Sequence, residues 1–303
     1  MTVTDRETGR NTRNTRNTGS SAGRDADRDA AGDGSDTDLD LVRGFEEDGF
    51  TVARGLFAEA EIEALRAEFT SLHAAGPIPG HFEPRPTRPD GTGGPADPLH
   101  VHPRVMHPHR VSGLARRFLL EPRLRTVLEL LLGEEVLAAQ SMFYFKPPGA
   151  RGQALHQDNF YLRTEPGTCV AAWIACDVID LGNGGLEVVP GTHRMEVFCP
   201  EEADEELSFA REYVPPPPGL SAVPVDMEPG DVLFFNGSLV HGSPPNRSTD
   251  RFRRSFIGHY VGRSAERIGR HYPTLSMSGE PVPLERSEGA GPCGTEFAPA
   301  GPH

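Results

Sequence analysis

No apolar run in this 303-residue chain approaches the roughly 20 residues that a membrane-spanning helix needs. Its first residues also lack the apolar segment of a secretory signal, so a soluble, cytoplasmic protein is expected. Positive charge is in deficit: 30 Lys and Arg stand against 44 Asp and Glu, a net charge of −14. With an acidic run at Glu201, Glu202, Asp204, Glu205 and Glu206, this argues against nucleic acid and anionic membranes as partners. Cysteine is scarce too. Cys169, Cys176, Cys199 and Cys293 form no CxxC pair and no regular spacing, which argues against a structural zinc site and a disulfide framework and fits a reducing compartment.

What is present suffices for one large core, since 36% of the residues are apolar. Residues 1–36 are expected to stay outside it as a disordered tail, because they repeat Asn-Thr-Arg and carry almost nothing to bury. The folded domain is expected over 37–265, with 266–303 a partly disordered extension. A short helix, a strand at Phe50–Val52 and a helix over 58–73 open the domain, the last with Ile62, Leu65, Phe69 and Leu72 at helical spacing. Residues 81–112 are dense in Pro and Gly and read as a lid or substrate loop. Four histidines there, His100, His102, His107 and His109, lack Cys or carboxylate companions at ligand spacing. An amphipathic helix over 114–132, broken at Pro122 and closed by Gly133, follows. From Val136 to Val261 short β-type stretches recur between turn signals such as Gly182-Asn183-Gly184-Gly185 and Pro229-Gly230-Asp231. Many short strands without intervening helices indicate a mainly β antiparallel sandwich or barrel behind N-terminal helices.

One stretch, "ALHQDNFYL", carries chemistry. On a strand, His156 and Asp158 share a face while Gln157 and Asn159 face away. An imidazole and a carboxylate suit a divalent first-row metal, and a second His from another strand would complete a facial triad with three open positions. His193 in "VVPGTHR" and His241 in "DVLFFNGSLVHGSPPN" are the candidates. His241 is favoured because an apolar strand delivers it to a barrel mouth, whereas His193 directly follows a Pro-Gly turn. His259, on an alternating strand, reads as a packed or hydrogen-bonded wall residue.

The ordered set "LHQD", "AAWIACD", "NGGLEVVPGTH", "PGDVLFFNGSLVHGSPPN" and "RFRRSFIGHY" resembles the phytanoyl-CoA dioxygenase family of Fe(II)/2-oxoglutarate oxygenases. "FEEDGFTVARGLFAEAEIEALR" is similar to that family's opening segment, and the match runs from about Phe45 to Val261. The resemblance implies a double-stranded β-helix, or jelly roll, with Fe(II) on His156, Asp158 and His241. It also implies an Arg on the last core strand that salt-bridges the far carboxylate of 2-oxoglutarate. Landmark alignment selects Arg253, one residue later than the family's spacing, over Arg251 in the loop and Arg254 on the other strand face. Ser243 corresponds to the family's His-Gly-Ser serine, a further contact to that carboxylate.

The activity implied is oxidation of a C–H bond of a small metabolite, commonly hydroxylation, using O2 and yielding succinate and CO2. A carboxylate at Asp158 favours oxygen transfer, since related halogenases have a small residue there. Gln140 is a candidate contact to 2-oxoglutarate or substrate as well as an ordinary sheet position, and Trp173 is either a pocket wall or core. Lys146 reads as structural or as approaching an anionic group. A secondary-metabolite substrate, neutral or cationic, suits the acidic chain better than a CoA thioester. The competing readings are a jelly-roll binding module without catalysis and a cupin-like metal enzyme independent of 2-oxoglutarate.

Overall fold

The computed structural model describes residues 26–82 and 104–287. It has two compact units, Met1–Thr37 and Asp38–His303. Helix α1 (Ala26–Asp48) begins well inside the segment expected to be a structureless tail. Residues 1–25 lie outside the described residues.

Strand β1 (Phe50–Ala53) leads into α2 (Glu59–Ala75), which buries Ile62, Leu65 and Phe69 along one stripe. Glu61 closes the N-terminus of α2 by accepting the Ala58 N–H at 2.9 Å. The helix broken at Pro122 is a pair, α3 (Gly113–Leu119) and α4 (Pro122–Leu132). Ser112 caps α3 by accepting the Ala115 N–H. Pro122 occupies the first turn of α4, and Gly133, at φ 70°, ends it.

Seven strands form the larger sheet. In order they are β1, β10 (Val232–Asn236), β5 (Cys169–Ala175), β12 (Ser255–Gly262), β3 (Val136–Tyr144) and β14 (Leu275–Ser276), with β2 (Arg104–Met106) also on β3. A smaller sheet holds β4 (Gln153–His156), β11 (His241–Ser243), β6 (Glu187–Val188) and β9 (Val223–Pro224), in that order. Two-stranded pairs, β7 (Glu201–Glu202) with β8 (Glu212–Tyr213) and β13 (Arg267–Gly269) with β15 (Glu285–Ser287), complete the fold.

Alternation along the larger sheet divides the core. Phe143, Ile174, Phe234 and Phe256 join the helices in one cluster. Met142, Trp173, Phe235 and Ile257 join Leu186 and Val188 of the smaller-sheet side in another. Full burial of each aromatic or branched side chain contributes about 1.5–3 kcal/mol. The larger and smaller sheets form a jelly roll with helices on one face, and the candidate site residues lie between the sheets. Beyond Arg263 the chain packs Ile268 and Tyr272 against Leu137, Cys169 and Val261.

Two local expectations need correction. "ALHQDNFYL" is not one strand: β4 ends at His156, and the next residues turn into the short helix α5 (Asn159–Leu162). Cys199 is disulfide-bonded, while Cys169 and Cys176 are free and buried. Pairing depends on which segments meet in space, and the spacing of four cysteines does not show that.

Candidate active site

β4 and β11 run antiparallel with His156 directly opposite His241, and the register then shifts so that Ser243 stands opposite Gln153. Gly242 permits this irregularity, since a Cβ there would come within 2.8 Å of the Gln153 carbonyl oxygen. The two imidazole rings lie 4.4 Å apart between centroids. Each Nδ1 sits against the backbone carbonyl two residues back, Ala154 at 2.8 Å and Leu239 at 3.0 Å. These bonds orient both rings with Nε2 facing inward.

Asp158 reaches the same point by another route. Its backbone is helical, φ −61° and ψ −35°, so the chain bends out of β4 and swings the carboxylate back toward the histidines. Strand alternation would put the two residues on one face, whereas here the turn out of β4 brings them together. Oδ1 of Asp158 lies 3.5 Å from Nε2 of His156 and 3.6 Å from Nε2 of His241. Oδ2 accepts a 2.9 Å hydrogen bond from Nε2 of His259. One ligand atom from each of His156, Asp158 and His241 lies within 4.8 Å of the other two, and all three residues are buried. Burial pushes the His241 pKa down to about 4 against the opposing pull of Asp158, so it is a neutral ligand near pH 7. Two imidazole nitrogens and one carboxylate oxygen on a common point fit a first-row divalent ion, with room left on one side.

The triad opens onto a cavity between the sheets. Met142, Trp173, Leu186, Phe235 and Ile257 form its apolar wall, and Ser243 and Arg253 also line it. The arginine run sorts itself by partner. Arg251 pairs with Asp180 and Arg254 with Asp177, while Arg253 turns inward and is buried. Its Nε donates to the Gly184 carbonyl at 3.0 Å, Nη1 to Ser255 Oγ at 3.2 Å and Nη2 to Ser243 Oγ at 3.3 Å. Burial pushes its pKa down to about 10. The guanidinium carbon also sits 5.4 Å from the Trp173 ring and 5.9 Å from Tyr144.

Lys146 is the residue that sequence reasoning undervalued. Its Nζ donates to Ser243 Oγ at 2.8 Å, the Gly184 carbonyl at 2.9 Å and the Pro244 carbonyl at 2.6 Å. Burial, reinforced by the Arg253 charge, holds its pKa well below the ordinary lysine value. Two buried cations therefore share one hydroxyl and one carbonyl, and among the described residues no carboxylate pairs with either. A signal was available: Lys146 is the only lysine in the chain.

Other expectations fall elsewhere. Gln140 is fully buried on β3 opposite His259, deeper along the face that carries Met142 and Tyr144, and it is not a cavity wall. His193 packs on Gly49, where a Cβ would come within 2.5 Å of its ring, and contacts the Glu46 carbonyl. It is not in the triad. His107 and His109 are buried, with His109 on Ser141 Oγ at 2.7 Å, and burial pushes both pKa values to about 3. His100 and His102, like most of the expected lid, lie outside the described residues. Gln153, not anticipated, lines the cavity with its Nε2 3.1 Å from His156 Nε2.

Comparison with known proteins agrees with this geometry. The family model described as "Phytanoyl-CoA dioxygenase (PhyH)" matches residues 45–255. The peroxisomal phytanoyl-CoA dioxygenase of Rattus norvegicus is 29% identical over 233 residues, covering 73% of this chain and 68% of the relative. The structure of EctD from S. alaskensis with 2-oxoglutarate and 5-hydroxyectoine superposes with a TM-score of 0.61 at 24% identity, over 81% of this chain and 86% of that one. The epimerase SnoN from nogalamycin biosynthesis superposes at 0.58 and 22% identity, over 76% and 85%.

Proposed function

The chain belongs to the phytanoyl-CoA dioxygenase family and is a 2-oxoglutarate-dependent dioxygenase, and from that premise we propose the roles of its residues and the class of its substrate. His156, Asp158 and His241 hold Fe(II). Arg253, Ser243 and Lys146 hold the far carboxylate of 2-oxoglutarate. The observation that carries this reading is a convergent two-His, one-carboxylate set on the same cavity as Arg253 and Ser243, with Lys146 bound to Ser243 from behind and no carboxylate paired with either cation among the described residues. A dicarboxylate with a keto oxygen beside one carboxylate satisfies both ends.

When bound, Fe(II) supplies the reduction of O2 to an oxidant able to break a C–H bond. The overall balance is R–H, 2-oxoglutarate and O2 giving R–OH, succinate and CO2, with two electrons from the cosubstrate and two from the substrate. The protein's own share is positional. His156 and His241 arrive with Nε2 inward because their Nδ1 atoms are tied to backbone carbonyls. Arg253 and Lys146 arrive already desolvated, which strengthens their hold on an anion. Met142, Trp173, Leu186, Phe235 and Ile257 exclude water from the reacting carbon.

For substrate, we favour a small neutral or cationic metabolite, plausibly of secondary metabolism. The net charge of −14 supports it over a polyphosphorylated CoA thioester. The relatives span both kinds, since the rat enzyme is named for phytanoyl-CoA and the EctD structure holds 5-hydroxyectoine. Hydroxylation is the expected outcome, with Asp158 present in the ligand set.

Anaerobic titration with Fe(II) and then 2-oxoglutarate tests the roles. A weak visible charge-transfer band is expected in the wild type, absent in Asp158→Ala and His241→Ala and weakened in Arg253→Ala. Iron-loaded, folded protein that gives no band with 2-oxoglutarate would overturn the reading. Succinate release across a panel of amino-acid derivatives, amino sugars and acyl-CoAs then tests the substrate class, and stimulation by acyl-CoAs alone would overturn the small-metabolite assignment.

A further inference from the structure

We propose that His259 is a positioning residue that restricts Asp158 to a single ligating oxygen and so keeps a coordination position open for the cosubstrate. This rests on the iron and 2-oxoglutarate reading above and goes beyond it. None of the motif's roles requires His259, and the fold nevertheless carries it to the one carboxylate of the triad.

The geometry divides the two oxygens of Asp158 between two tasks. Oδ1 faces the Nε2 atoms of both histidine ligands at 3.5 and 3.6 Å. Oδ2 points away and accepts from His259 Nε2 at 2.9 Å, with both side chains only 1% exposed. A carboxylate can bind a metal through one oxygen or both. When both bind, they occupy two positions instead of one, and a cosubstrate that chelates through two atoms then competes with O2 for what is left. A hydrogen bond to an ionised carboxylate is among the stronger ones in a dry site, and here it holds the second oxygen off the ion.

The rest of the fold is arranged to keep that imidazole in place. Ile257 and His259 share the cavity face of β12, and Arg253, two residues before that strand begins, lines the same cavity. In β12, His259 lies between Gln140 of β3 and Ala171 of β5, and the small Ala171 leaves space for a ring. The register with β3 slips immediately afterwards, between His259 and Tyr260. The unmatched residue is Ala139 of β3, and Tyr260, on the opposite face of β12 from His259, points into the helix-side core, where its hydroxyl donates to the Leu119 carbonyl at 2.7 Å.

The test compares His259→Leu, which removes the donor, with His259→Gln, which keeps an N–H near the same place. Fe(II) affinity is measured anaerobically by chelator competition, and 2-oxoglutarate affinity by the charge-transfer band. Loss of a hydrogen-bonding partner to a metal ligand typically shifts such properties by about 10- to 100-fold. The expected result is that His259→Leu weakens 2-oxoglutarate at least ten-fold while changing Fe(II) affinity less, and that His259→Gln restores it to within about three-fold of wild type. Wild-type 2-oxoglutarate affinity in His259→Leu would overturn the proposal, as would parallel losses of both ligands that Gln does not rescue. Should the Leu variant not fold, the crystal structure of Fe(II)-loaded wild type decides: one Asp158 oxygen on iron supports the proposal, two overturn it. A wild type giving no band at all fails the cosubstrate reading instead, and is distinguishable because the wild type is measured first.

Discussion

At the scale of single residues, Lys146 shows how burial and charge combine to make a binding group. Free lysine stays protonated to about 10.5, whereas in the folded chain burial and the neighbouring Arg253 favour loss of the proton at lower pH. Between those two pH values the unfolded chain binds more protons, so stability rises with pH across the window and the buried ammonium is a cost below it. Replacing Lys146 by Met is therefore expected to raise the melting temperature of the cosubstrate-free protein at pH 7, in line with the usual result for buried charges replaced by apolar groups. The advantage should shrink as pH approaches 10. The same substitution should weaken 2-oxoglutarate by about ten-fold or more, the range for a hydrogen bond to a charged group. Melting curves from pH 7 to 10 with and without 2-oxoglutarate check both signs. Because there is no other lysine, protein labelled with 13C-lysine gives one resonance that should report a rise in pKa on binding. A Met variant less stable at pH 7 with unaltered 2-oxoglutarate affinity would make Lys146 a structural tether.

At the scale of elements, legibility depended on whether the relevant period was local. The stripe of α2, the break at Pro122 and the stop at Gly133 are set by residues within a turn or two of each other, so pattern alone placed them. The strands of the larger sheet were equally plain, being short apolar runs between turn signals. The place of Asp158 beside His156 was legible, but the exit from β4 into α5 that sets its geometry was not, because a strand pattern does not show where the strand ends. His259 and Lys146 act through strands distant in sequence, and a single chain displays no such pairing. Gln140 erred in depth, since alternation gives the face of a strand and not how far along it the cavity reaches. The turn at Gly184 joins these levels. Its φ is 77°, and an added Cβ would lie 2.6 Å from the Pro244 carbonyl oxygen and 2.8 Å from Lys146 Cε, while its own carbonyl accepts from both cations. Gly184→Ala is expected to destabilise the fold by more than about 1 kcal/mol, the penalty for a side chain where φ is positive. It should also weaken 2-oxoglutarate by displacing Lys146. Denaturant midpoints and the charge-transfer titration measure the two effects, and a variant changed in neither would show that the turn yields without cost.

At the scale of the whole molecule, an acidic protein must admit a dianion. The net charge of −14 creates a repulsive potential that 2-oxoglutarate meets before it reaches Arg253 and Lys146. Those two cations are buried between the sheets, so their attraction acts at contact distance, whereas the surface acids act across solvent where salt screens them. The Debye length falls from about 30 Å at 0.01 M salt to about 8 Å at 0.15 M, which spans the distance from an outer surface to a central cavity. The association rate of 2-oxoglutarate with the Fe(II) protein is therefore expected to rise several-fold over that range of salt, with the dissociation rate almost unchanged because it is governed by screened-off, buried contacts. A cationic substrate should show the opposite salt dependence, faster at low salt, and a neutral one none. Stopped-flow measurement of the charge-transfer band at a series of salt concentrations gives the cosubstrate rates directly. An association rate that falls with added salt would mean that the field of Arg253 and Lys146 reaches through the cavity mouth and outweighs the acidic surface, and the preference for cationic over anionic substrates would then lose its electrostatic basis.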